Sequence, residues 1–172
     1  DISFAITALV IVKCMASAVT FTYYLKASQK RHSYVSAAFG VFYAFCAYFL
    51  AYYWNIMWID GMILLPLIVL GIEQLVHNGK GALYTGALAV LLLSNYYMGY
   101  MACIFSVLYF LAYFLMTAKP RPEKSGEKLT TREKYSAKNL MRHPFLNRCA
   151  RFAGFSLLAG GLCAVTLLPT YF

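Results

Sequence analysis

The chain has 172 residues, 62% of them apolar and 12% charged, with a mean hydropathy of +0.63 and a formal net charge of +9. Ordinary globular domains carry roughly 45–50% apolar and about 25% charged residues, so the composition excludes a soluble fold and sets an all-α membrane bundle as the expectation. The positive charge then reads as membrane topology and contact with anionic lipid, not as nucleic-acid binding.

Six apolar stretches follow in chain order: 2–25, 35–53, 62–76, 82–93, 98–117 and 149–168. A helix needs ~20 residues to cross ~30 Å of hydrocarbon. The third and fourth stretches fall short of that and are expected to borrow flanking residues. Together the six make one transmembrane unit over 1–172, a polytopic bundle with a basic loop at 118–148.

If Asp1 starts outside, Lys26, Lys30 and Arg31 fall in the first inner loop and Lys80 in the second. Ten more lie in or beside the third inner loop, from Lys119 to Arg151, so 14 of the 15 Lys and Arg residues share one side. The outer segments 54–61, 94–97 and 169–172 carry none. Basic residues collect in cytoplasmic loops, so the expected location is a bacterial cell membrane with these loops inside. Within the basic loop Pro120, Pro122 and Gly126 break the chain, and Thr130 and Thr131 form an N-cap pattern. They introduce a short surface helix over 131–142, ending before Pro144, with Tyr135 and Leu140 toward lipid. The alternative is a charged linker.

Common soluble chemistries find no support. No Walker loop, GxGxxG, HExxH or GxSxG occurs. Cys14, Cys46, Cys103 and Cys163 lie in apolar stretches, and Cys149 sits at an inner boundary. No CxxC pairs them, so they read as small apolar residues. His32, His77 and His143 fall on inner loops without neighbouring ligands, which gives no metal-binding pattern.

Polar groups at unexpected depth are the functional candidates. Lys13 lies ~18 Å along the first helix, near the middle of the hydrocarbon. A cation there marks a site unless it snorkels or pairs structurally. The outer segment 54–60 carries Trp54, Asn55, Trp58 and Asp60. Asp60 could serve as a general base, hold a divalent metal, or simply cap the next helix; the two Trp rings suit a sugar or an interface. The third place is the turn 94–100, where Asn95 can cap the fifth helix and Tyr96, Tyr97 and Tyr100 can line a hydroxyl-rich cavity. Segments 54–60 and 95–97 are expected side by side. Pro66 is expected to kink the third helix, Glu73 to pair with Lys80 or Lys26, and Ser156, Gly160 and Ala164 to form a small-residue packing stripe.

Several of these segments together resemble one family. They are Val12-Lys13, Thr20-Phe21-Thr22-Tyr23-Tyr24-Leu25-Lys26, Asn55-Ile56-Met57-Trp58-Ile59-Asp60 with Leu64-Leu65-Pro66-Leu67 and Gly71-Ile72-Glu73, and Ser94-Asn95-Tyr96-Tyr97-Met98-Gly99-Tyr100. In this order, and outside the basic loop, they look like the YfhO family of bacterial membrane proteins. The resemblance implies a GT-C type glycosyltransferase. Such an enzyme takes a sugar from a polyprenyl-phosphate carrier on the outer face and passes it to lipoteichoic acid or a related surface glycopolymer. It also implies that Trp58, Asp60, Asn95, Tyr96 and Tyr97 match outer-face motifs and that Lys13 matches an intramembrane Lys. The family's first helix and acidic outer loop, where the main catalytic Asp is expected, would precede Asp1, so this chain reads as an internal piece. Contact between Lys13 and the donor phosphate is an inference from charge. A transporter or lipid flippase, with Lys13 on a translocated anion, is the competing class, and a non-catalytic scaffold is the third.

Overall fold

The computed structural model describes residues 1–29, 34–117 and 131–164, with residues 29, 117 and 131–146 described as backbone alone. The basic segment 118–130, the side chains of Tyr135 and Leu140, and everything after Ala164 lie outside the described residues. Seven helices and no strand occur among the described residues: α1 (Ile2–Gln29), α2 (Tyr34–Ala44), α3 (Ala47–Tyr52), α4 (Ile56–Asn78), α5 (Ala82–Ser94), α6 (Tyr96–Thr117) and α7 (Thr131–Leu162). In hydrocarbon every backbone N–H and C=O needs an internal partner, which is why uninterrupted apolar runs resolve as helices.

Four stretches are long and apolar enough to cross a membrane, namely Ile2–Ser28, Tyr34–Tyr52, Ile56–Asn78 and Tyr96–Met116. The third crossing therefore corrects the short stretch expected over 62–76. Its helix starts six residues earlier, recruiting the segment expected as an outer loop, and continues through the buried Pro66. The fourth remains short: 13 residues of α5 span about 20 Å. The expected surface helix ending before Pro144 is also corrected, because α7 runs through Pro144 to Leu162 as one helix.

Cross-helix bonds fix the directions. Thr22 Oγ1 donates to the Ser36 carbonyl at 3.4 Å, and Cys14 Sγ lies 3.9 Å from the Ala44 carbonyl, so α1 and α2 form an antiparallel pair. Lys13 meets Asp60 while Tyr24 meets Glu73, so α1 and α4 run parallel. Tyr109 also reaches Glu73 and Tyr113 reaches His77, which sets α6 parallel to both. Tyr84 bonds Ser156 and Cys163 Sγ donates to the Ala89 carbonyl, so α7 runs parallel to α5. The strict up-and-down alternation puts Asp60 and Asn95 at one end of the bundle and Lys26, Lys80 and Arg151 at the other.

The helix α4 is the centre, packed against α1, α3, α5, α6 and α7. In lipid, close approach of backbones replaces the hydrophobic effect as the force between helices. Gly71 supplies it here, since a Cβ at that position would sit 2.5 Å from the Tyr84 nitrogen. The main buried cluster joins Ile68, Ile72, Tyr84, Leu88, Phe110 and Ala159, and a smaller one joins Cys14, Ala44, Phe49, Ile59 and Met62. On α7 the buried face runs through Phe152, Ala159 and Cys163. Gly160, expected on the packing stripe, has no neighbour within 4 Å of a Cβ built there.

One feature of the fold has no counterpart in the sequence pattern. The stretch 35–53, expected as one helix, breaks after Ala44 and resumes at Ala47, with Cys46 in an extended conformation at φ −64° and ψ 162°. Neither Gly nor Pro marks the break.

Candidate functional site

Asp60 lies inside α4, four residues from its first, about 6 Å along the axis. It does not cap the helix: the N-cap is Asn55, which makes no side-chain capping bond. The carboxylate turns instead toward α1, where its Oδ1 lies 2.6 Å from the Lys13 ammonium. That ammonium also donates to the Ile56 carbonyl at 3.1 Å. Lys13 thus reaches the level of the second turn of α4, where a carboxylate meets it. The pair is 20% and 25% exposed at its two side chains, so it is partly desolvated and open on one side. An ammonium carries three donors, and these two contacts leave one for a further acceptor.

The helix break lies level with this pair, since Cys14, next to Lys13, faces Ala44. Below it Tyr43 donates to the Met62 carbonyl at 2.9 Å and stacks on Phe21 with ring centres 4.3 Å apart. Irregular backbone at membrane depth is tolerated where protein surrounds it or a cavity adjoins it. A cavity does adjoin it: an apolar space of ≈ 320 Å³, bounded by Tyr43, Cys46 and Tyr48 at the break, Gly61 and Met62 of α4, and Met98 of α6.

The aromatic residues gather on the rim. Trp58 packs 5.5 Å from Tyr52, and Trp54, 67% exposed, donates its indole N–H to the Ala51 carbonyl. Asn95 accepts the Tyr97 and Met98 amides at 3.1 and 3.3 Å through Oδ1, which is the helix-capping role. Tyr96, Tyr97 and Tyr100 are exposed. The starts of α4 and α6 are adjacent, since a Cβ at Gly61 would lie 3.0 Å from Met98 Cε. Asn55 is half-buried, with its backbone carbonyl bonded to Trp58. The structure thus brings together Lys13 and Asp60, sets Trp58 against Tyr52 two residues before Asp60 on α4, and gives Asn95 to the start of α6.

The Lys13 ammonium engages Oδ1 of Asp60, the carboxylate considered for a divalent ion. No group of three or more His, Cys, Asp or Glu side chains converges on a metal position among the described residues.

At the opposite end a second buried carboxylate emerges. Glu73, 8% exposed, accepts hydrogen bonds at Oε1 from Tyr109 at 2.9 Å and Tyr24 at 3.2 Å. This corrects the expected pairing with Lys80 or Lys26. Two phenol donors from neighbouring helices reach a carboxylate at this depth, whereas the cationic side chains sit at helix ends. His77 Nε2 lies 2.7 Å from the Tyr113 hydroxyl one turn further along.

Several apolar crossings, polar groups turned inward and lipid-length helices define a multi-pass, all-α membrane protein. The chain belongs to the family of the bacterial membrane protein YfhO, whose family model matches residues 1–172. A curated relative from Bacillus subtilis (strain 168), described as uncharacterized protein YfhO, is 35% identical over 72 residues, covering 42% of this chain and 8% of that protein. The matched stretch is therefore a small part of the relative's length. No solved structure matches the chain.

Proposed function

We propose that this chain forms part of a membrane glycosyltransferase of the GT-C type, which moves a sugar from a polyprenyl-phosphate carrier to a surface glycopolymer such as lipoteichoic acid. The basic end of the bundle is cytoplasmic on this reading and the Lys13–Asp60 end faces out, following the bias of Lys and Arg toward inner loops. The observation that carries the reading is the ammonium of Lys13, held by Asp60 at 2.6 Å, together with an apolar cavity of ≈ 320 Å³ lined by Gly61 and Met62, the next two residues of α4. A polyprenyl-phosphate sugar has these two halves, a phosphate needing positive charge and an isoprenoid chain needing an apolar slot. As polyprenyl phosphate leaves, negative charge grows on its oxygen, and a fixed ammonium stabilises it. Asp60 is better suited to positioning Lys13 than to acting as the base, because its carboxylate is engaged by the ammonium. Trp54 and Trp58 offer flat faces for the sugar ring.

The test is sugar transfer to the surface polymer in membranes carrying the full-length protein. Lys13→Met keeps chain length and removes the charge, and is expected to abolish transfer with normal expression; Lys13→Arg should retain part of it. Full activity in well-expressed Lys13→Met sinks the reading.

The broken second crossing favours one further reading, a transporter that passes a lipid-linked anion by Lys13, since discontinuous helices often frame such sites. Movement of a polyprenyl-phosphate sugar across proteoliposomes lacking any acceptor would select it.

A further inference from the structure

A second cleft lies at the basic end, between the end of α4 and α7. It encloses ≈ 270 Å³ and is bounded by His77, Asn78 and Gly79 on one side and Asn147, Arg148 and Arg151 on the other. That is somewhat smaller than the roughly 300–1,000 Å³ of sites for whole drug-sized ligands, which suits a headgroup.

The two guanidiniums are set for an anion. Arg148 and Arg151 are three residues apart on α7 and so share a face. Arg148 is held over the Phe114 ring, with its central carbon 5.8 Å from the ring centre. Arg151 extends over Gly79, where a Cβ would collide with its Nη1; the left-handed φ of 69° also favours glycine there. Among the described residues the one ion pair is Lys13–Asp60, and no hydrogen bond occupies either guanidinium. Each carries five donors in a planar fork that matches phosphate oxygens.

Glu73 lies deeper in α4, does not line the cleft, and is bonded to Tyr24 and Tyr109. Lys80 follows Gly79 and adds positive charge. The carbonyl end of α4 contributes about half a negative charge, which the two arginines outweigh. On the same end of α6, Leu115 and Met116 are exposed, providing apolar surface for acyl chains.

We propose that this cleft binds a phosphate group, supplied at the membrane interface by the phosphodiester of an anionic lipid headgroup. Basic pockets between membrane helices recognise such headgroups. The site lies at the opposite end of the bundle from the Lys13–Asp60 pair and is independent of sugar transfer.

Native mass spectrometry of the full-length protein, loaded with equal phosphatidylglycerol and phosphatidylcholine, tests it. Wild type is expected to retain phosphatidylglycerol at least about tenfold better than Arg148→Gln/Arg151→Gln, a difference near 1.4 kcal/mol, while Lys80→Gln stays close to wild type. Retention that excess inorganic phosphate does not displace supports the lipid as source; displacement supports the phosphate site with the free ion as an alternative occupant. Equal retention of the two lipids by wild type, or unchanged phosphatidylglycerol retention in the double variant, overturns the proposal. If the double variant fails to fold, the exposed Arg151→Gln alone gives the same readout.

Discussion

Lys13 on α1 and Asp60 on α4 meet at 2.6 Å, so the two charges that sequence places in separate segments form one unit. The parallel course of α1 and α4 makes this possible, and the bond from Lys13 to the Ile56 carbonyl fixes the ammonium beside the first turn of α4.

A mutant cycle on this pair separates its structural share from its chemical one. Lys13→Met or Asp60→Asn alone leaves one charge without its partner. For a fully buried pair that loss is about 3–5 kcal/mol, and the partial exposure of this pair lowers the expectation to roughly 1–3 kcal/mol. The double variant should recover most of this stability in detergent unfolding while sugar transfer stays absent. Strictly additive single losses would show that the two side chains are not coupled.

Gly71 should tolerate no side chain. Gly71→Ala puts a methyl group 2.5 Å from the Tyr84 nitrogen, so α4 and α5 must separate, at a loss of about 1–3 kcal/mol. Gly86→Ala meets nothing within 4 Å and should be neutral or stabilising by up to ~1 kcal/mol, since Ala favours the helix. Thermal unfolding of the two variants side by side checks the contrast, and equal midpoints would refute it.

The buried carboxylate of Glu73 depends on its two phenols. Tyr109→Phe removes the shorter bond and is expected to lower stability by about 1.5–3 kcal/mol, as for hydrogen bonds to charged groups. Glu73→Gln keeps an acceptor for both hydroxyls and should cost less than Glu73→Ala. Chemical denaturation would contradict this ordering if the Gln and Ala variants fell together.

Orientation can be read by labelling. In a full-length protein whose native cysteines are replaced, Ser94→Cys should react with an impermeant maleimide from outside intact cells. Lys80→Cys should react only after permeabilisation. Labelling of both from one side would reverse the up-and-down arrangement.

Sequence alone determined that this is a multi-pass helical protein, and it located four of the six apolar stretches within a few residues. It also marked Lys13, Asp60 and Asn95. These follow from composition and local pattern: hydrocarbon demands apolar runs of helical length, and charge is confined to their ends or to special places. Tertiary structure decided the rest. Helix rotation and depth brought Lys13 to Asp60, gave Glu73 to Tyr24 and Tyr109, and placed Arg148 and Arg151 on one cleft. The break between α2 and α3 carries no local signal, because Ala44, Phe45 and Cys46 are all compatible with a helix. It is a property of how α2 and α3 fit α1 and α4, and such fits depend on residues far apart in the chain whose contacts no local pattern encodes.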